Sequence, residues 1–207
     1  MAGSHPPLGP TGTAPASAES TDATTVPSPR RPPHPRGSVR GWYENELGWA
    51  TVPGSPVRLF TGRDFDVLDV PAGAGRAALE RLALVAPVAV RGDRMRFLVA
   101  AGGAEELPGV LRWLEWGAVP LDLTATGAGG SITAPLPPGA VRRGTAQGAA
   151  VWLRPPVPGR EESSLPTVSA PGGDDGAPDL VRLVDTLATE VHRARLRSAC
   201  AQPLAFS

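Results

Sequence analysis

Phe65-Asp66-Val67-Leu68-Asp69-Val70-Pro71-Ala72-Gly73-Ala74-Gly75 is an apolar run that carries acids and enters a small-residue turn. Phe65, Val67, Leu68 and Val70 favour extended structure, and Pro71 brings no N–H to a ladder. Good helix formers follow in Arg76-Ala77-Ala78-Leu79-Glu80-Arg81-Leu82, so the stretch reads as strand, turn, helix. Side chains alternate along a strand, which puts Phe65, Val67 and Asp69 on one face and Asp66, Leu68 and Val70 on the other. Asp69 thus sits among apolar neighbours, where a carboxylate without a partner is costly. Four readings stay open for it: an ion pair, the mouth of a cleft, a metal ligand, or a solvated strand-end aspartate bonded to turn amides.

The chain has 207 residues, enough for one modest domain with tails. Its 25 glycines and 25 prolines imply long non-globular segments beside a core. All 20 basic residues are arginine and Ile132 is the only isoleucine, the mark of a GC-rich codon bias. Arginine abundance is therefore not by itself a nucleic-acid footprint. With 20 acids against 20 bases the formal charge is zero, which excludes a global attraction to DNA or to an acidic membrane and leaves local patches. Cys200 is the only cysteine, so no intrachain disulfide and no multi-thiolate zinc site is available, and a reducing cytosol fits. No run of about 18 apolar residues spans a bilayer and no apolar signal core opens the chain. The expectation is a soluble, cytoplasmic protein with no membrane partner.

Outward from the central stretch, residues 1–38 read as a disordered proline-rich arm, extended near Ser28-Pro29-Arg30-Arg31-Pro32-Pro33-His34-Pro35-Arg36. The cluster of Arg30, Arg31, Arg36 and Arg40 either meets phosphates or an acidic partner or is a solvated tail. Residues 39–157 read as the folded domain. Gly41 to Trp49 suggests a helical turn ending near Gly48, and Ala50 to Val52 a short strand. The runs Pro87 to Val90 and Met95 to Val99 flank Arg91-Gly92-Asp93-Arg94 as a hairpin.

Leu107, Val110, Leu111 and Leu114 predict a helix from Glu105 to Trp116, with Pro108 in its first turn. Trp113 and Trp116 beside that stripe read as packing, or as a base-stacking platform. Further strands are expected at Val119 to Leu123, Ser131 to Ala134 and Val151 to Leu153, with a glycine loop at Gly127-Ala128-Gly129-Gly130. Residues 158–177 form a linker or long loop, 178–199 an amphipathic helix capped by Asp179, and 200–207 a tail. That helix buries Leu180, Leu183, Val184, Leu187 and Val191, on the core or against a partner chain, with Arg182, Asp185, Glu190 and Arg193 on its other face. The fold class is α+β, with a mixed or antiparallel sheet and two or three packed helices.

Gly73-Ala74-Gly75-Arg76-Ala77-Ala78 satisfies a dinucleotide-binding pattern between a strand and a helix, but no alternating strand-helix series follows it. The three histidines, His5, His34 and His192, lie outside the expected core, so neither a histidine-rich metal centre nor a serine-histidine-aspartate set can be assembled.

The order of elements resembles the N-terminal domain of the bifunctional primase-polymerase family over residues 41 to about 155. Gly48-Trp49 is similar to that family's opening and Phe65 to Pro71 to its acidic strand. Arg91 to Leu98 resembles its histidine strand, and Leu121-Asp122-Leu123 through Gly129-Gly130-Ser131-Ile132-Thr133-Ala134-Pro135 its last motif. The resemblance implies two-metal nucleotidyl transfer on clustered carboxylates. This chain departs from it at decisive places. Asp69 occupies the first acidic position, but Pro71 stands at the second, and Met95 stands where the family's histidine contacts the nucleotide. Asp69 and Asp122 remain as the remnant catalytic and metal-binding pair, able at most to hold one magnesium or manganese ion. The resemblance therefore implies a degenerate domain that retains nucleotide or DNA binding, through a groove of Arg91, Arg94, Arg96, Arg142 and Arg143. The alternative class is a non-enzymatic regulatory or interaction module that meets a protein through the C-terminal helix and the proline-rich arm.

Overall fold

The computed structural model describes residues 38–140, 148–168 and 179–200. The expected arm, apart from Ser38, and the tail from residue 201 lie outside these, as do Arg142 and Arg143. The fold is α+β, with every strand pair antiparallel. A helical turn α1 (Val39–Gly41), capped by Ser38 Oγ accepting from Gly41 N–H at 2.9 Å, continues as a π-helical segment Trp42–Glu46. Strands β1 (Thr51–Val52) and β2 (Arg58–Phe60) follow, then β3 (Asp66–Pro71) and helix α2 (Ala72–Arg81). Next come β4 (Val88–Arg91), β5 (Arg94–Val99), helix α3 (Gly103–Trp113), β6 (Thr124–Thr126), β7 (Ser131–Thr133) and β8 (Val151–Arg154). Helix α4 (Leu180–Cys200) closes the described chain.

The strands form a five-stranded sheet in the order β6-β3-β5-β4-β8 and a three-stranded sheet in the order β1-β2-β7. The alternation expected in β3 sorts its side chains into two cores. Leu68 and Val70, with Met95, Phe97 and Val99 of β5, pack against Ala74 and Ala78 of α2, Leu107 of α3 and the stripe of α4. Val67 and the preceding Phe65, with Leu98, pack against Tyr43, Leu47, Trp49, Leu59 and Ile132. The helices thus cover one face of the large sheet, and the small sheet with the opening helical turns covers part of the other.

Three local devices hold this arrangement. The β4–β5 hairpin turns on Gly92 at φ 58°, a backbone that a two-residue turn needs and that glycine adopts without strain. Helix α2 begins directly after Pro71 and crosses β5 closely: a Cβ at Gly75 would lie 2.5 Å from Met95 Sδ. The second glycine of the dinucleotide-like pattern is therefore spent on helix–sheet contact. The buried phenol of Tyr43 donates to Pro135 O at 2.7 Å and accepts from Trp152 Nε1 at 3.0 Å, tying the opening turns to the strand ends. Burial pushes its pKa up, against the opposing effect of the Trp152 bond, so the phenol stays neutral.

Several sequence expectations are corrected. Helix α3 starts two residues earlier than predicted, so Pro108 lies inside it rather than in its first turn. The strand expected over Val119 to Leu123 forms instead at Thr124–Thr126, because Pro120 cannot donate to a ladder and Val119 N–H is engaged by Trp116 O in a turn. Helix α4 carries the predicted cap, with Asp179 Oδ1 accepting from Val181 N–H at 2.8 Å, and its stripe is buried in the core of the same domain. It is no appended helix, and the stripe is not offered to a partner chain. Glu190, expected on the solvent face, is 2% exposed and accepts from Arg81 Nε at 2.8 Å and Arg193 Nη1 at 2.7 Å. The expected linker is partly packed: Leu165 fills the second core and Pro166 O accepts from Ala100 N–H. Residues 169–178 of that segment lie outside the described residues.

Candidate functional site

Strand register assembles the site. Asp69 of β3 stands directly opposite Arg96 of β5 and Thr124 of β6, Pro71 stands opposite Arg94, and Arg91 of β4 stands opposite Arg94. Directly opposed residues share a face, so Asp69, Arg91, Arg94 and Arg96 project together at the hairpin end of the large sheet. This is the face that carries Val67 and Leu98 further along, and here it turns polar.

Asp69 is paired. Its Oδ1 accepts from Arg94 Nε at 2.5 Å and its Oδ2 from Arg96 Nε at 2.8 Å. Arg94 Nη1 donates to both oxygens of Asp122 at 2.8 Å, and Arg94 Nη2 to Asp69 O at 3.1 Å. Arg94 therefore bridges the two acids that the sequence singled out. Asp69 and Arg96 side chains are each 15% exposed, whereas Asp122 is 60% exposed. Burial works against the charge of Arg94, but the hydrogen bonds to Asp122 and Asp69 outweigh it and raise its pKa above the ordinary arginine value.

The donor set does not fit a metal ion. Asp69 and Asp122 both direct their oxygens at guanidinium N–H groups, and a cation between them would have to displace Arg94. Among the described residues no group of three or more His, Cys, Asp or Glu side chains converges. Met95 does not join Asp69. It pairs with Val70, faces the helices and is fully buried. Three guanidinium groups face two carboxylates, and Arg96 Nη1 is buried with no hydrogen-bond partner. Arg91 Nε donates to Gly148 O at 3.3 Å. The cluster thus carries one more positive than negative group, with Arg91 as its exposed cation and the unpaired Arg96 Nη1 buried.

Asp66 has a role that sequence reading missed. It is fully buried on the helix face, and its Oδ2 accepts from Gly102 N–H at 2.9 Å and Ala104 N–H at 3.0 Å, capping α3 from a distant strand. Gly102 precedes the helix with φ 93° and brings no capping side chain of its own, so the cap has to come from elsewhere in the fold. Burial raises the Asp66 pKa above 3.8; the Ala104 and Gly102 N–H groups oppose this and the Glu105 charge adds to it.

Of the aromatic candidates, Trp113 is 74% exposed and so does not supply the buried packing expected of it. Trp116 is partly buried, donates to Asp185 Oδ1 at 3.1 Å and lies 5.7 Å from the His192 ring. Arg40 is drawn into the fold, donating to Val52 O at 2.8 Å and to Thr51 Oγ1. Comparison with known protein families, with curated proteins and with solved structures finds no match for this chain.

Proposed function

We propose that this domain is a non-catalytic, primase-polymerase-like module that binds a phosphate-bearing ligand, a nucleotide or DNA, on the cationic face at the hairpin end of its large sheet. The bridge of Arg94 between Asp69 and Asp122 carries the reading. It occupies the carboxylates that nucleotidyl transfer would need, and it fixes a guanidinium beside Arg96 and Arg91. Arginine forks match phosphate oxygens in bidentate geometry, and Arg91 is exposed with only its Nε engaged, by Gly148 O. The exposed Cys200 fits a cytoplasmic protein, and no described helix is long and apolar enough to cross a membrane.

The test is paired. Anisotropy with a labelled single-stranded oligonucleotide should show binding that weakens steeply with salt and weakens further in Arg91→Ala and Arg96→Met. Primer synthesis and extension with magnesium or manganese should yield no product. Template-dependent synthesis that disappears in an Asp69→Ala, Asp122→Ala double variant would overturn the reading, as would absence of binding.

Trp113 favours a second reading, a protein-interaction module. An exposed tryptophan on a helix is a common interface anchor. Because the stripe of α4 is spent on the core, a protein partner would meet α3 rather than that stripe.

A further inference from the structure

The solvent face of α3 is built against the usual preferences of a helix. Glu106, Pro108, Gly109, Arg112 and Trp113 are all exposed there, and Trp113, at 74%, is the most exposed large apolar side chain among the described residues. Proline and glycine are the two residues least suited to a helix interior, yet Pro108 and Gly109 stand side by side inside this one. No packing within the domain calls for Gly109, since a Cβ built there meets nothing within 4 Å. Neither Glu106 nor Arg112 has an ion-pair partner among the described residues. Local choices that break the rules of their element without a gain inside the fold mark functional positions.

The spacing of these residues has a symmetry. Each helical residue is turned about 100° from the last and raised about 1.5 Å. Glu106 and Arg112, three positions before and after Gly109, therefore lie about 60° to either side of it and about 4.5 Å to either end. A two-fold axis passing through Gly109 at right angles to α3 turns the helix antiparallel to itself and sets Glu106 of each copy opposite Arg112 of the other. Opposite charges thus meet twice, whereas a parallel pairing would oppose like charges. The missing side chain at Gly109 lets the two backbones approach. Trp113 is one turn further on, and because a helical side chain covers the turn that precedes it, the ring flanks that close approach.

We propose that α3 is a self-association face: two copies of this chain pair their α3 helices antiparallel about a two-fold axis at Gly109, with Glu106 of each against Arg112 of the other and both Trp113 rings at the crossing. This rests on the reading of Trp113 as an interface anchor and names its partner as a second copy. The contact is isologous, so it closes at two copies. A tryptophan buries about 150–250 Å², and two of them with the flanking charges make an interface at the low end of specific sizes, below about 1,200 Å². The dimer is therefore weak and forms in the micromolar range.

The experiment is sedimentation velocity of the full chain across the micromolar range, with circular dichroism to confirm that each variant is folded. The expected result is a monomer that becomes a dimer as concentration rises, and loss of the dimer in Trp113→Ala. Gly109→Gln should raise the thermal midpoint of the monomer, because glutamine is the better helix former, and yet abolish the dimer. Glu106→Arg and Arg112→Glu should each be monomeric alone, since like charges then meet, and should form a heterodimer when mixed, since both pairs are then complementary. Arg96→Met should dimerise as the parent does. A parent chain that stays monomeric throughout would overturn the proposal and leave Trp113 as an anchor for a different protein. A dimer that persists in Trp113→Ala would overturn both the proposal and the anchor reading. A dimer whose two charge variants fail to associate when mixed would overturn the antiparallel pairing and the proposal with it.

Discussion

Asp69 and Asp66 are separated by three positions and do opposite things. Asp69 closes an ion-pair network between β3 and β5, and removing it leaves Arg94 and Arg96 facing each other at a largely buried position. Asp69→Ala should therefore lower stability by about 1.5–3 kcal/mol, the range for hydrogen bonds to charged groups. Asp122→Ala, at an exposed pair, should cost about 0–1 kcal/mol. Urea unfolding of the two variants checks the contrast, and equal losses would contradict it.

Asp66 controls a pH term. Its folded pKa lies above the unfolded value of 3.8, so its contribution to stability is full below that value and is lost as pH rises through the folded pKa. Asp66→Asn keeps an oxygen for the Gly102 and Ala104 N–H groups and removes the buried charge. The stability of this variant relative to the parent should rise between pH 4 and pH 7, measured by urea unfolding at each pH; a flat difference would show that burial does not set the term. Alternation along β3 had already placed the two aspartates on opposite faces. The partners were not legible, because a cap supplied across 36 positions and a register that sets Asp69 against Arg96 are tertiary facts.

At the scale of elements, the junction of β3 and α2 shows how little room the fold leaves. Gly75 sits where helix and sheet nearly touch, so Gly75→Ala should destabilise by about 1–3 kcal/mol, as overpacked cores do. Combining it with Met95→Val should recover part of that loss, because the clash is with the thioether; thermal unfolding of both variants tests this. In α4, Leu183→Ala or Leu187→Ala should cost about 2–5 kcal/mol, since both side chains are buried among α2 and the sheet. An unchanged stability with altered oligomeric state would place that face in an interface instead.

The hairpin, the passage from strand to helix at Pro71 and the cap of α4 were legible because each is set by residues close in sequence, Gly92, Pro71 and Asp179, although the turn expected over Ala72 to Gly75 is already the first turn of α2. The start of α3 was not, since its cap comes from β3. Nor was the burial of Glu190, whose partner Arg81 lies on another helix.

For the molecule as a whole, the large sheet is covered by helices on one face and in part by the small sheet and the opening helical turns on the other. Its hairpin end carries the exposed Arg91 beside the more buried Arg94 and Arg96, while the acids it might have offered to a metal are engaged by arginine. Sequence reading named these five residues but could not tell a metal site from an ion-pair network, because the distinction rests on which partner each carboxylate meets.

The account's central claim is that this face binds phosphate through arginine. Its most direct test is a titration of arginine-labelled protein with a nucleoside triphosphate, following the side-chain Nε–Hε resonances by NMR. The account predicts saturable shifts at Arg91, Arg94 and Arg96, all abolished by high salt, with the Arg94 signal still marking its pairing to Asp69. Shifts confined to arginines elsewhere, or none at all at millimolar nucleotide, would contradict it.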